Sequence, residues 1–268
     1  MCEFCSKHKR KKWFLDPDNY SEKMLENKRR MNILQKLAGF GLDYELRDTA
    51  EAVRWTKHPL TKDVAKHIIN KIASSTHSGQ VITLQDALEI IDLSDNHVLF
   101  ACGCRRLTNN KEKMCCLNFG PMRDINMGVR PKEKMEEVDR YEAKLRLEEW
   151  HRQGLFSEVI YAVPPFPLAL CNCDAKYCLP VKYRFMYDLR FGLLKGHEIA
   201  RVDSKRCVGC KECISRCQFG AMFLSPDENK VVIDPTKCFG CGLCSDVCKK
   251  NAISMINRQD VPGGKDRW

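Results

Sequence analysis

The sequence has no apolar run long enough to span a bilayer, which takes roughly eighteen or more residues, and this excludes a conventional transmembrane helix. The nearest approach runs from Leu155 to Leu170 and is broken by Glu158, Pro164, Pro165 and Pro167. An apolar signal segment is also missing: the chain opens Met1-Cys2-Glu3-Phe4-Cys5 and then turns to charge. These absences predict a soluble cytoplasmic protein whose 17 cysteines are kept reduced rather than paired as disulfides. There is no Ser-His-Asp grouping, phosphate-binding loop or dinucleotide fingerprint, so conventional catalysis has no foothold. A net charge of +10 invites a nucleic-acid reading, but no recognised motif or aromatic-interleaved basic platform supports one.

What the sequence does have is thiol in a repeated pattern. Cys207, Cys210, Cys213 and Cys217 run C-x2-C-x2-C-x3-C, and Cys238, Cys241, Cys244 and Cys248 repeat the run at an offset of 31 residues. At the same offset Val202-Asp203 matches Ile233-Asp234, Gly209 matches Gly240 and Ala221 matches Ala252. Thiolate is a soft ligand suited to iron–sulfur clusters, and three cysteines at this spacing can wrap three corners of a cubane on one loop. Zinc sites more often use paired C-x2-C ligands, and disulfide frameworks belong to small secreted domains. The pattern resembles the two-cluster bacterial-type ferredoxin domain. That resemblance implies two 4Fe-4S clusters with crossed ligands: Cys207, Cys210, Cys213 and Cys248 on one, Cys238, Cys241, Cys244 and Cys217 on the other. The proline that often follows the fourth cysteine is here Gln218 in the first run and Lys249 in the second, and a cation at Lys249 would favour the reduced cluster.

The cluster segment uses a small part of the 268 residues, so the chain divides into a module over 1–195 and a ferredoxin domain over 196–258. Cys2, Cys5 and His8 have chelating spacing but supply three ligands, and terminal thiols without metal explain them as well. Residues 1–30 carry nine Lys or Arg against five Asp or Glu, which reads as a solvated basic arm or a docking patch for an acidic redox protein. Met24, Met31, Leu34 and Leu37 predict a helix ending near Gly39 to Gly41, and Leu42 to Thr56 a second. Val64, Ile68, Ile69 and Ile72 mark an amphipathic helix before a polar loop over Ser74 to Gly79. Thr83 and Asp86 form a capping-box pattern for a helix over Leu84 to Leu93, with Leu84, Leu88 and Ile91 inward. These helices read as a cover on a core rather than as a DNA-reading unit.

His97 to Ala101 predicts a buried strand that delivers Cys102 and Cys104 to its end. Cys115 and Cys116 follow, then a charged helix from about Pro131 to Gln153 with Met135, Val138, Tyr141, Leu145 and Trp150 on its apolar side. Leu155 to Val163 predicts a second strand, and Pro164 to Pro167 a rigid extended connector into Cys171, Cys173 and Cys178. Seven thiols in tight groups, Cys102, Cys104, Cys115, Cys116, Cys171, Cys173 and Cys178, are either buried free cysteines or ligands of a metal ion or a third iron–sulfur cluster. The second reading requires the C-x-C and C-N-C groups to meet in space. A helix within Val181 to Leu194, through Phe185, Leu189 and Leu193, is expected to pack this module against the next.

Over nearly its full length the chain resembles a little-characterised group of ferredoxin-domain proteins from anaerobic microbes. The resemblance is carried by Met1-Cys2-Glu3-Phe4-Cys5, Lys12-Trp13-Phe14-Leu15, Cys102-Gly103-Cys104-Arg105, Cys171-Asn172-Cys173 and the double repeat. Such proteins often place more cysteines directly after the C-N-C, where this chain has Asp174 and then Cys178. The expectation is an α+β protein: a helical, cysteine-rich module followed by a ferredoxin-like domain with an internal pseudo-twofold repeat. Its expected activity is one-electron transfer between redox partners such as an acidic ferredoxin or flavodoxin, as a carrier or an electron-transfer subunit of an oxidoreductase. The rival readings are an oxidoreductase with a catalytic metal among the middle cysteines and a redox or metal sensor that binds a partner or nucleic acid.

Overall fold

The computed structural model describes residues 12–28, 31, 32, 35, 42–75, 77–108, 113–129, 133–162 and 167–262. Cys2, Cys5 and His8, the basic cluster before Lys12, the glycines near residue 40 and Pro164 to Phe166 lie outside them. So does most of the helix expected around Leu34. The fold is mixed α/β, with a cysteine-rich segment at the C-terminal side.

The first module is organised by a sheet rather than by helices. Seven strands, β1 (His77–Ile82), β2 (His97–Ala101), β3 (Met114–Phe119), β4 (Met135–Val138), β5 (Phe156–Ala162), β6 (Pro167–Cys173) and β7 (Leu193–Leu194), lie in the order β4-β2-β3-β6-β5-β1-β7. All neighbours are antiparallel except β1 and β7. Because β2 and β6 both run antiparallel to β3, they run parallel to each other and end at the same edge of the sheet. The helices are α1 (Leu42–Ala52), α2 (Lys62–Ser75), α3 (Leu84–Asp92), α4 (Gly103–Leu107), α5 (Pro121–Val129), α6 (Arg140–Arg152) and α7 (Leu179–Met186).

Several sequence expectations hold and several are corrected. Thr83 and Asp86 do form a reciprocal capping box, so α3 starts where the pattern placed it. The polar loop expected over Ser74 to Gly79 is instead taken up by the end of α2 and the start of strand β1, whose Gln80, Val81 and Ile82 are buried. The long charged helix is shorter than expected, because Met135–Val138 pairs as an edge strand with β2 and Asp139 caps a new start for α6. Its buried side is Ala143, Leu147 and Trp150, at helical spacing, while Tyr141 and Leu145 face solvent. The proline-rich connector ends in strand β6, since proline is tolerated as a strand's first residue. Helix α2 forms, yet Val64, Ile68 and Ile72 are exposed. Its opposite side is the anchored one: Asn70 Oδ1 accepts from the Phe191 amide at 3.0 Å and the Ala73 carbonyl accepts from the Tyr161 hydroxyl at 3.4 Å.

The largest core lies between the sheet and helices α3 and α6, and holds Ile90, Ile91, Leu99, Leu117, Leu147, Val159 and Leu170. The second compact unit contains β8 (Glu198–Val202), α8 (Glu212–Arg216), β9 (Met222–Leu224), β10 (Val231–Ile233), α9 (Leu243–Asp246) and β11 (Ile253–Asn257). Here β8 pairs with β11 and β9 with β10, so the first and last strands of the unit are joined. No helix among the described residues is long and apolar enough to cross a membrane.

The N-terminal Trp13 and Phe14 are buried where the two units meet. Trp13 donates from Nε1 to Gln80 Oε1 at 2.5 Å, and Gln80 donates to the Lys195 carbonyl at 2.9 Å. Lys12 bridges Asp86 at 2.5 Å and Glu198 at 2.6 Å, joining helix α3 to strand β8.

Candidate iron–sulfur centres

Two loops of the second unit carry the repeated cysteines, and their local chemistry matches position by position. The Asp203 carbonyl accepts from the Cys207 amide at 3.0 Å, and the Asp234 carbonyl accepts from the Cys238 amide at 3.2 Å. Gly209 (φ +68) and Gly240 (φ +78) take left-handed conformations in which a Cβ would stand 2.3 Å from the Asn229 carbonyl oxygen and 2.2 Å from that of Glu198. Both positions therefore require glycine. The Ala221 amide donates to Cys217 Sγ at 3.3 Å, and the Ala252 amide donates to Cys248 Sγ at 3.3 Å. Amides aimed at sulfur favour the thiolate form and tune a bound cluster.

The thiols also segregate into two neighbourhoods. Burial pushes the Cys213 thiol up to about 11, and the charges that add to the shift belong to Cys210, Cys248 and Cys207. Burial pushes Cys241 up to about 12, with Cys238 and Cys217 adding to it. Cys244 is raised by burial and then by Cys241, Cys238 and Cys217 ahead of Cys213. The charge of Cys248 thus acts on Cys213, and that of Cys217 on Cys241 and Cys244. Soft thiolate donors of this kind suit iron–sulfur clusters.

The neighbourhoods differ in exposure. Cys210 is exposed, beside exposed Val208, Lys205, Arg206 and Lys211. Cys238, Cys241 and Cys244 are buried, and Cys241 belongs to an apolar cluster with Phe219, Phe239 and Leu243 that continues into Phe156, Cys173, Cys178 and Val181 of the first module. Phe219 stacks on Phe239 with centroids 4.4 Å apart, and Phe156 meets Phe219 at 5.0 Å. Phe185 contacts both Phe219 and Phe239, so α7 packs against the second unit as expected. The helix ends at Met186, however, and Leu189 and Leu193, expected on it, are buried beyond its end, Leu193 in β7.

Arg258 is fully buried and donates from Nε to the Gly196 carbonyl and from Nη2 to the carbonyls of Glu198 and Cys238, all at 2.9 Å. It places a cation against the loop that carries Cys238. Lys249, by contrast, is exposed and lies 3.4 Å from Glu212, which offsets the charge expected to act on the cluster. Gln218 replaces the usual proline for a visible reason: its Oε1 accepts from the Ala175 amide at 2.6 Å and its Nε2 donates to the Gly154 carbonyl. Arg216 adds a bond from Nη2 to the His151 carbonyl at 2.7 Å.

The seven middle cysteines are brought together. One rung across the sheet reads Phe100, Cys116, Cys171, Glu158 and Val81, and residues opposite one another in a rung share a face. Cys102, at the end of β2, lies with Cys115 and Cys116 so that their sulfurs are within 4.8 Å of one another. Cys173, at the end of β6, and Cys178, which precedes α7, both donate to Glu158 Oε1, at 3.1 and 3.6 Å. Hydrogen bonds from Cys104, Cys115 and Cys116 hold the Cys102 sulfur far below the ordinary thiol range. Bonds from Cys116 and Cys173 bring Cys171 down to about 6. Burial raises Cys178 to about 12 and, with the Cys171 charge next, Glu158 to about 8. None of the fifteen cysteines among the described residues is in a disulfide.

Sequence reasoning missed Glu158, Phe219, Phe239 and Arg258 as site residues. The one available signal was Glu158 itself, a carboxylate in the middle of an otherwise apolar strand.

Comparison with known proteins agrees with the geometry. Residues 200–255 match the 4Fe-4S dicluster domain family. The chain is also similar to indolepyruvate oxidoreductase subunit IorA of Pyrococcus abyssi (strain GE5 / Orsay), at 33% identity over 63 residues, which is 24% of this chain and 10% of that protein. The C-terminal part of this chain, over residues 200–255, is a 4Fe-4S dicluster domain.

Proposed function

We propose that this protein passes single electrons between redox partners through two 4Fe-4S clusters held by crossed ligand sets. One set is Cys207, Cys210, Cys213 and Cys248, and the other is Cys238, Cys241, Cys244 and Cys217. What supports this reading is the doubled cysteine run within the segment that matches a 4Fe-4S dicluster domain, together with the charge of Cys248 acting on Cys213 and that of Cys217 acting on Cys241 and Cys244. The matched glycines, amides and alanines of the two loops support an internal pseudo-twofold repeat over 196–258, after a first module over 1–195. Each cluster, when bound, supplies one reversible electron at a potential within the wide range of about −700 to +450 mV known for such centres.

The residues around the two sets give them different tasks. Cys210, exposed among Lys205, Arg206 and Lys211, suits the approach of an acidic partner such as a small ferredoxin or a flavodoxin, because opposite charges accelerate encounter. Phe219, Phe239 and Phe156 exclude water between Cys241 and the thiols of the first module. The similarity to an oxidoreductase subunit fits an electron-transfer component of a larger reaction as well as a free carrier. The test is to mix the anaerobically loaded, reduced protein with oxidised flavodoxin and count electrons delivered per chain. At least two one-electron transfers support the reading, and none would overturn it.

A further inference from the structure

The dicluster domain leaves seven buried or half-buried thiols of the first module unused. They do not fill a core at random: β2 and β6 end at the same sheet edge, Cys102 lies with Cys115 and Cys116, Cys171 stands opposite Cys116, and Cys173 and Cys178 converge on Glu158. Glu158 stands in the same rung. It is 1% exposed, its Oε1 is taken by two thiols, and its Oε2 is buried without a hydrogen-bond partner. A buried carboxylate oxygen left open is costly unless a cation or donor completes it. Gly79, two residues before Val81 on β1, leaves the space that this oxygen occupies, since a Cβ there would lie 2.9 Å from Oε2.

We propose that the first module holds a polynuclear iron–sulfur centre of its own, ligated by thiolates of Cys102, Cys116, Cys171, Cys173 and Cys178 and by the Glu158 carboxylate. Soft thiolate donors select zinc, copper(I) or iron–sulfur chemistry. A single zinc takes four ligands, fewer than the five thiols and the carboxylate gathered here. A multi-iron centre uses the larger set, and a carboxylate among thiolates makes one iron chemically distinct. The position also favours a redox centre, because Cys173 and Cys178 share an apolar cluster with Cys241 and Phe219 of the dicluster domain. Metal cations supply the charge that several close, buried thiolates need.

The test uses the full chain, reconstituted anaerobically with iron and sulfide, in wild type, a Cys116→Ser/Cys171→Ser double variant and Glu158→Gln. Iron, sulfide and zinc per chain are measured together with the EPR spectrum of the reduced protein. The dicluster domain alone accounts for about eight irons. The wild type is expected to carry clearly more, the double variant to lose the excess while keeping the dicluster signals, and Glu158→Gln to keep those signals while changing the extra one. Equal iron in wild type and double variant would overturn the proposal, as would zinc in place of the excess iron. If the double variant does not fold, the isosteric Glu158→Gln decides: an unchanged spectrum overturns the proposal. The proposal takes from the reading above only its iron baseline, and a failure of that reading is separately visible as iron that Cys241→Ser does not reduce.

Discussion

Replacing Arg258 by Met should lower the potential of the cluster proposed for Cys238, Cys241, Cys244 and Cys217 and leave the other nearly unchanged. Arginine stays protonated at neutral pH, and here its guanidinium is fully buried on the Cys238 carbonyl, so its charge is poorly screened. Across roughly 7 Å at an effective dielectric of about 20, one unit charge contributes about 2.4 kcal/mol to holding an added electron. For a one-electron couple this is about 100 mV, since about 1.4 kcal/mol corresponds to about 59 mV. The loss of three charge-assisted hydrogen bonds to the carbonyls of Gly196, Glu198 and Cys238 should also cost about 3 to 5 kcal/mol of stability. An EPR-monitored redox titration reads the potentials, and thermal unfolding reads the stability. Arg258→Lys, which keeps the charge, should lose stability but retain most of the potential. If Arg258→Met leaves both potentials where they were, or shifts only the cluster of Cys207, Cys210 and Cys213, the electrostatic argument is wrong.

Cys217→Ser should perturb the cluster of Cys238, Cys241 and Cys244 in the EPR spectrum and spare the other; the reverse outcome would refute the crossed assignment. Electron exchange with an acidic ferredoxin or flavodoxin should slow as the Debye length falls from about 10 Å at 0.1 M salt to about 3 Å at 1 M, and a flat stopped-flow rate would remove the basic docking face. Gln218→Ala removes the bonds to Ala175 and Gly154 and should lower stability by about 1 to 3 kcal/mol in denaturant unfolding with both clusters still bound. A loss of cluster instead would mean that Gln218 acts within the ligand loop rather than between modules.

The parts of this fold that announce themselves locally were legible. The doubled cysteine spacing, the Thr83–Asp86 capping box and the buried run into Cys102 depend on neighbours in sequence, and each appears where its pattern placed it. The edge strand Met135–Val138 was absorbed into a helix because its charged residues fit the helical pattern that follows, and only pairing with β2 settles it as strand. Strand β1 hides in polar residues: Gln80 is buried because Trp13 and the Lys195 carbonyl meet its side chain, contacts that lie far along the chain. The meeting of the middle thiols is a matter of register. Cys116 opposite Cys171 follows from β3 lying between β2 and β6, an order that no spacing encodes. Glu158 was visible as an interruption of an apolar run, but its partner thiols were not.

The most direct test of the central claim is an anaerobic EPR titration of the full, reconstituted wild-type chain during stepwise reduction. The account predicts two 4Fe-4S centres in the dicluster domain, each taking up one electron, with spectra broadened by their mutual interaction once both are reduced. A chain that binds zinc, or that gains no paramagnetic iron–sulfur signal on full reduction, would contradict it.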